Sequence, residues 1–405
     1  MRRNKGCSSY LIIIIIAFVA AYWIAGFSDD SAISTDGFDN TSTLYPDNGS
    51  DSGAVNDSGF NTADCKYYDQ LNDDEKYIYR VFLQGIENGN LNFEFNNVDY
   101  ETYNDYAFRA ICALTYDYPE YFWLECGYTY SFSHAPFSTK GTVEIKLSSY
   151  DFWDYSLSKD QRIAELESAV NRVATMALTQ SSDFDRIKFV HDYLVENAIY
   201  DHDALDEYFK TYHDASCEYI FTAYGCLVNQ KTVCAGYAKA FKLIMEKMGY
   251  ECLYVTGYAG EAHAWNLVFI GDKGYYIDIT WDDADFEDGE VPVYDYFGIS
   301  TDYLERTHTI DTDFAIPECT SREYDYFYYT DKHLDYYDFE SAKAIIEAQK
   351  YDELISIRFG SYSEFKRACD DLLTDQMICY IEPYTNASSY RYRLNDKQFI
   401  IELFP

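Results

Sequence analysis

The sequence predicts an α+β protein in which a cysteine-bearing helix leads into a run of strands, carried behind one N-terminal membrane-spanning helix. Three observations predict it. The run VCAGYAKAFKLIMEKMG has helical periodicity and is followed by three strand-like runs, CLYVTGY, HAWNLVFI and YYIDITW. An uncharged apolar run, LIIIIIAFVAAYWIAGF, fills most of residues 10–27. Residues 28–65 are mainly Ser, Asp, Asn and Gly, a composition too polar to offset the entropy of ordering.

From the N-terminus, Arg2, Arg3 and Lys5 precede the apolar run. The run has about the length a bilayer needs, roughly 17–25 residues, and its basic flank stays cytoplasmic by the positive-inside rule. An uncleaved anchor is favoured over a cleaved signal peptide, because no small-residue cleavage site closes the run. Either reading places the remainder outside the cytoplasm. Residues 1–27 are thus read as flank and anchor, and 28–65 as a disordered acidic tether.

Residues 66–180 form a mixed region. LNDDEKYIYRVFLQGIENG and YAFRAICALTYDYPEYF read as helices, the first closed by Gly89 and the second by Pro119. CGYTYSFS and GTVEIKLSSY alternate as strands, and AELESAVNRVATMAL is a helix. Residues 181–310 form the core described below. Residues 311–405 read as a small α/β domain: strand YFYYTD, helix DFESAKAIIEAQK, strand ELISIRFG, helix SEFKRACDDLL, strand MICYIEP, and the hairpin YRYRLNDKQFIIELF.

The formal charge of −38 repels phosphate backbones and excludes nucleic acid as a partner. Eleven cysteines, an odd number, are scattered without a CxxC pair, which removes zinc-ribbon and thioredoxin-like readings. Cys112 and Cys379 lie in apolar runs and read as buried thiols. The acidic run WDDADFEDGE fails the calcium-loop template, because Asp288 and Tyr294 stand where Gly and Glu are required. It reads as a solvated loop. No metal and no cofactor are expected.

Chemistry concentrates at one place. Cys234 opens the helix that begins near Val233, where unsatisfied N–H groups and the helix dipole stabilise a thiolate. Ala235 and Gly236 follow, small enough to admit a substrate backbone. The Gly271-Asp272 turn fits a two-residue type II′ hairpin that pairs Ile270 with Lys273. That register sets Asp278 opposite Trp265 and makes His263 its diagonal neighbour, about 7–8 Å away at Cα and within reach of a His–carboxylate bond. Asp278 would then fix the imidazole tautomer, with Trp265 as a shield. Gln230, Asn229 and Tyr224 are open candidates for a second oxyanion donor beside the Cys234 N–H. His191 is expected to pack or cap, and His202 and His213 to be solvated.

The text AYGCLVNQKTVCAGYAKAFKLIMEKMG, then GYAGEAHAWNLVFIGDKGYYIDITWDD, with the upstream helix FDRIKFVHDYLVENAIYD, resembles the transglutaminase-like superfamily over residues 184–288. The resemblance implies a papain-like fold, a helix-borne Cys packed on an antiparallel sheet bearing His and Asp, in a bacterial, membrane-anchored member. It also implies Cys234 as nucleophile, His263 as general base and acid, and Asp278 as the orienting group. The expected activity is hydrolysis of amide bonds in extracytoplasmic proteins or peptides, peptidoglycan stem peptides among them, through a thioester. The alternatives are transfer of the acyl group to an amine, as a transglutaminase does, and a non-catalytic surface binding protein on the same fold.

Overall fold

The computed structural model describes residues 66–135, 137–150, 157–210, 215–283, 292–385 and 389–404. The expected anchor and tether, Cys7, Cys65, His213 and most of the acidic run after Asp283 lie outside them. Among the described residues no helix is long and apolar enough to cross a membrane. The chain divides into two compact units, 1–150 and 151–405.

In the first unit, helix α1 (Asp73–Glu87) starts at a capping box in which Asn72 and Glu75 satisfy each other's backbone N–H groups. Its chain then forms β1 (Asn92–Asp99), α2 (Tyr100–Asp117), β2 (Leu124–His134) and β3 (Lys140–Ser149). The strands make an antiparallel sheet in the order β1-β3-β2. Strand β1 was not expected from the sequence, although Phe93 and Phe95 alternate inward along it. Asp117, at the end of α2, accepts from the Tyr67 and Tyr68 N–H groups and the Tyr79 hydroxyl.

The second unit begins with α3 (Lys159–Ala177) and α4 (Asp183–Asn197), capped by Ser158 and Ser182. Strand β4 (Ile199–Tyr200) pairs in parallel with β5 (Lys231–Thr232), just ahead of helix α5 (Cys234–Lys247). The α5 stripe of Ala240, Phe241, Ile244 and Met245 is buried, and Gly249 follows the helix with φ +89°. Then come β6 (Cys252–Tyr258), β7 (Ala262–Ile270), β8 (Lys273–Ile277), β9 (Phe297–Ile299) and β10 (Thr309–Ile310). They form one sheet in the order β10-β6-β7-β8-β9, and every neighbouring pair in it is antiparallel.

The C-terminal residues build a sheet of β11 (His333–Leu334), β12 (Ile355–Phe359), β13 (Arg391–Asn395) and β14 (Ile400–Phe404), in the order β11-β12-β14-β13. Helices α6 (Phe339–Ala348) and α7 (Tyr362–Ala368) supply part of its apolar core. Two expected strands here are helical turns. In YFYYTD, Asp325 accepts from the Phe327 and Tyr328 N–H groups and winds Tyr326–Tyr329 into a turn, overriding the aromatic strand propensity. In MICYIEP, Gln376 takes φ +61° and starts a 3₁₀ turn over Met377–Tyr380 that buries Ile378. A buried Arg358 links this sheet to the rest of the unit: its guanidinium donates to Asp325 Oδ2 at 2.5 Å and to the Asp295 carbonyl at 2.7 Å.

Candidate active site

Cys234 is the first residue of α5, and Val233 before it is extended and caps no N–H with its side chain. The head of the helix, with its positive dipole end, is therefore left to the cysteine. Gly236 does not serve substrate approach as expected. It is buried, and a Cβ there would meet Thr232 Oγ1 at 2.0 Å and the Ile220 and Thr222 carbonyls at 2.8 Å. Its smallness lets α5 press against the 220–222 segment and fixes where the cysteine stands.

The β7–β8 hairpin carries the histidine. Ile270 pairs with Lys273 across the turn, Gly271 has φ +64°, and the register holds to Asn266 opposite Ile277. There β8 ends. The Asp278 N–H donates to the Tyr296 carbonyl at 3.2 Å, and its Oδ1 accepts from the Trp281 N–H at 3.2 Å, capping a turn over Ile279–Asp282. This leaves Oδ2 to face His263 Nε2 at 2.7 Å. An ionised carboxylate only accepts, so the proton is on Nε2 and Nδ1 is the nitrogen left for Cys234. Cys234 is near enough to act on the His263 imidazole together with Asp278.

The electrostatics follow. Burial disfavours the imidazolium, but the charges of Asp278 and Cys234 outweigh it and hold His263 well above the usual histidine range. Burial also works against an ionised Asp278, yet His263 and then His308 hold its carboxyl well below the usual range. Trp265 stacks on His263 at 5.9 Å between ring centres, and Trp281 lies 6.1 Å away, so the pair sits under aromatic cover.

Buried Asn266 ties the two halves of the site together. Its amide donates to the Ala238 carbonyl of α5 at 2.9 Å and to the Leu253 carbonyl of β6 at 3.2 Å. The Tyr237 hydroxyl, one turn from Cys234, lies 3.0 Å from the Ala198 carbonyl and 2.6 Å from Asp283 Oδ2.

The oxyanion candidates separate. The Tyr224 hydroxyl is committed to Glu165 at 2.6 Å and Arg162 at 3.2 Å. Asn229 and Gln230 are exposed. The Gln230 carbonyl instead accepts from Ile199, which lays Tyr200 beside Thr232. Tyr200 was missed in the sequence. Its hydroxyl is raised above its usual range by burial and by the charges of Cys234, Glu261 and Asp278, which places it in the site. His308 was missed as well: buried, it donates from Nε2 to Asp278 Oδ2 at 3.0 Å. No local pattern announces either residue, since each reaches the site through pairing between distant segments.

His263, Asp278 and His308 bring three ligand-type atoms within 4.8 Å of one another. The carboxylate oxygen lies 2.7 and 3.0 Å from the two ring nitrogens, the spacing of N–H···O bonds. The trio is thus satisfied by protons alone.

The remaining histidines and acids take other roles. His191 packs fully buried, with Nδ1 3.0 Å from Asp192 and Nε2 3.2 Å from Asp282. His202 is exposed. Asp282 departs from the expected solvated loop: it is buried, and its Oδ1 accepts from the Tyr296 N–H at 2.9 Å. A cavity of about 420 Å³ is lined by Gly260, Trp281, Thr307, Arg306, Arg393 and Lys397, among others. The nine described cysteines are free thiols; Cys112 is buried as expected and Cys379 only half-buried.

Residues 171–279, a span that holds Cys234, His263 and Asp278, match the family model of the transglutaminase-like superfamily. The kyphoscoliosis peptidase of Mus musculus is 27% identical over 158 residues, covering 36% of this chain and 22% of that protein. A crystal structure of a TGase aligns at 18% identity and a TM-score of 0.29, over 38% of this chain and 44% of that one. A candidate cysteine protease from Cytophaga hutchinsonii aligns at 12% identity and a TM-score of 0.23, over 38% of this chain and 62% of that one. The chain thus matches about a fifth of the length of its curated relative. It is an α+β protein carrying a transglutaminase-like core.

Proposed function

We propose that this protein is a cysteine-dependent amide hydrolase working through a thioester. The observation that carries the reading is His263, hydrogen-bonded through Nε2 to a buried carboxylate and lying beside a cysteine at a helix head. The Cys234 thiolate attacks the amide carbonyl, and the S–C bond forms. Charge on the carbonyl oxygen is taken up by the Cys234 N–H and the Tyr200 hydroxyl. As the C–N bond breaks, the imidazolium of His263 gives its Nδ1 proton to the leaving amine. Water then adds to the thioester, His263 accepts its proton, and the carboxylic acid leaves as the thiolate is restored. Asp278 keeps its charge throughout and orients the ring.

Replacing water by a primary amine gives the transglutaminase reaction with the same residues. Hydrolysis is preferred because Cys234 is half-exposed, and solvent has access to it. A peptide substrate with an acidic end fits the cavity rim at Arg306 and Lys397, in a chain otherwise strongly acidic. We place the site outside the cytoplasm, tethered by the apolar run at 10–27.

The test is alkylation of the full chain across pH, with mass mapping of the labelled thiol. Fast labelling of Cys234 at pH 6, lost in His263→Ala, is the expected result, and peptide substrates with and without an added amine then separate hydrolysis from transfer. Labelling no faster than that of the other thiols in the folded, reduced protein would move the reading to a binding protein on this fold.

A further inference from the structure

Asp278 holds a second imidazole on the same oxygen that holds the first. His308 Nε2–H donates to Oδ2 at 3.0 Å, beside the 2.7 Å bond from His263. With the Trp281 N–H on Oδ1, the carboxylate accepts three N–H groups. His308 is 2% exposed and lies outside the span matched by the family model.

Its placement is built, not incidental. Its ring is braced by Trp281 at 4.7 Å, Trp265 at 4.9 Å and Tyr296 at 5.3 Å between ring centres. Nδ1 lies 2.8 Å from Thr307 Oγ1. In the neutral ring the Thr307 hydroxyl donates to Nδ1, which fixes Nε2 as the N–H nitrogen facing Asp278. The backbone is held on both sides: the His308 N–H donates to the Leu304 carbonyl at 2.9 Å, and the next two residues are β10, paired with β6. That pairing needs Gly257, because a Cβ there would meet the Thr309 carbonyl at 2.1 Å and the Trp265 ring at 2.7 Å.

We infer that His308 is a positioning residue, which clamps the Asp278 carboxylate with Oδ2 toward His263 and so sets the strength of the His263–Cys234 pair. A carboxylate with three donors is a weak base and leaves the proton on His263. It is also held in one rotamer, so the ring it orients cannot turn. The inference rests on the proposed reading of Cys234 as nucleophile. The other titratable groups around the cluster are Cys234 on α5, Tyr200 on β4, Glu261 ahead of β7, Tyr296 ahead of β9, and Arg306, whose Nη1 donates to the Lys397 carbonyl.

The experiment is the pH profile of Cys234 alkylation in the full chain for wild type, His308→Leu and His308→Gln. The Leu variant removes the donor at similar volume; the Gln variant keeps an N–H₂ donor. Fast wild-type labelling at pH 6 is expected to fall about tenfold or more in His308→Leu, with the midpoint moving up toward that of an ordinary thiol, and to recover in His308→Gln. A purely structural role would move neither the midpoint nor the recovery. A folded His308→Leu with the wild-type rate and midpoint would overturn the inference while leaving the triad intact. A wild-type protein without fast labelling would overturn the triad reading and this one with it. Should the Leu variant not fold, Thr307→Val frees the tautomer. A smaller shift of the same sign is expected there, and an unmoved midpoint would overturn the proposal.

Discussion

Asp278 and Asp282 stand at the two ends of one helical turn, both buried and both bonded to a histidine, yet their carboxyls are driven in opposite directions. Asp278 takes three N–H donors, two of them imidazoles, and is held below the usual range. Burial pushes Asp282 up to about 7 against the pull of His191, with the charge of Asp295 adding to the rise. Burial alone therefore does not make a charged orienting group. What separates the two is the supply of donors and the absence of a competing carboxylate. The first pair lies beside Cys234, and the second joins α4 to the helical turn that follows β8.

That contrast can be broken in several ways. The largest effect expected is in His263→Ala, where Cys234 alkylation at pH 6 falls by about 10²–10⁴-fold, as for loss of a general base. Next, Asp278→Asn is expected to lower the rate by about 10²–10⁴-fold through loss of the ring's orientation, whereas Asp282→Asn leaves it close to wild type. Equal losses in the two variants would show that the second pair belongs to the reacting group after all.

The second pair should be read in stability. His191 is fully buried. Burial alone would lower it, but its bonds to Asp192 and Asp282 raise it to about 9. A histidine raised above its unfolded value stabilises the fold in full below about 6.5 and loses that contribution as pH climbs through about 9. Asp282, also raised, acts in the same direction at lower pH: its contribution is present below about 4 and lost as pH rises through about 7. The urea midpoint is therefore expected to fall steadily from pH 5 to 9.5. The His191 part is about 3 kcal/mol, and His191→Gln should flatten the upper half of the curve. A smaller effect, about 1 kcal/mol, is expected for Asn266→Ala in the same measurement, with slower Cys234 labelling as α5 loosens from β7.

The core was readable where its signals are local. The stripe of α5, the Gly271 turn and the strand-like runs on either side of that turn each reside in a few adjacent residues, and together they set His263 near Asp278 from the sequence. Contacts between distant segments were not readable. Tyr200 arrives through a two-residue parallel pairing and His308 through a two-residue edge strand, both too short to leave a periodic trace. YFYYTD misled because its aromatics speak for a strand, while the deciding residue, Asp325, lies just ahead of it and is held by Arg358 from a distant strand.

Arg358 also bears on how such a protein can be shortened. Its buried guanidinium, with Arg393 on Asp295 and Gln398 on the Tyr303 carbonyl, reaches from the C-terminal sheet into the stretch between Asp278 and His308. A chain ending near residue 317 would leave the buried Asp295 without Arg393 and Asn395, which both donate to it, beside the Tyr296 that packs on His308. The C-terminal segment is thus no detachable passenger. A truncated descendant would first have to neutralise position 295, and a graft of the core alone onto another scaffold should carry that substitution from the outset.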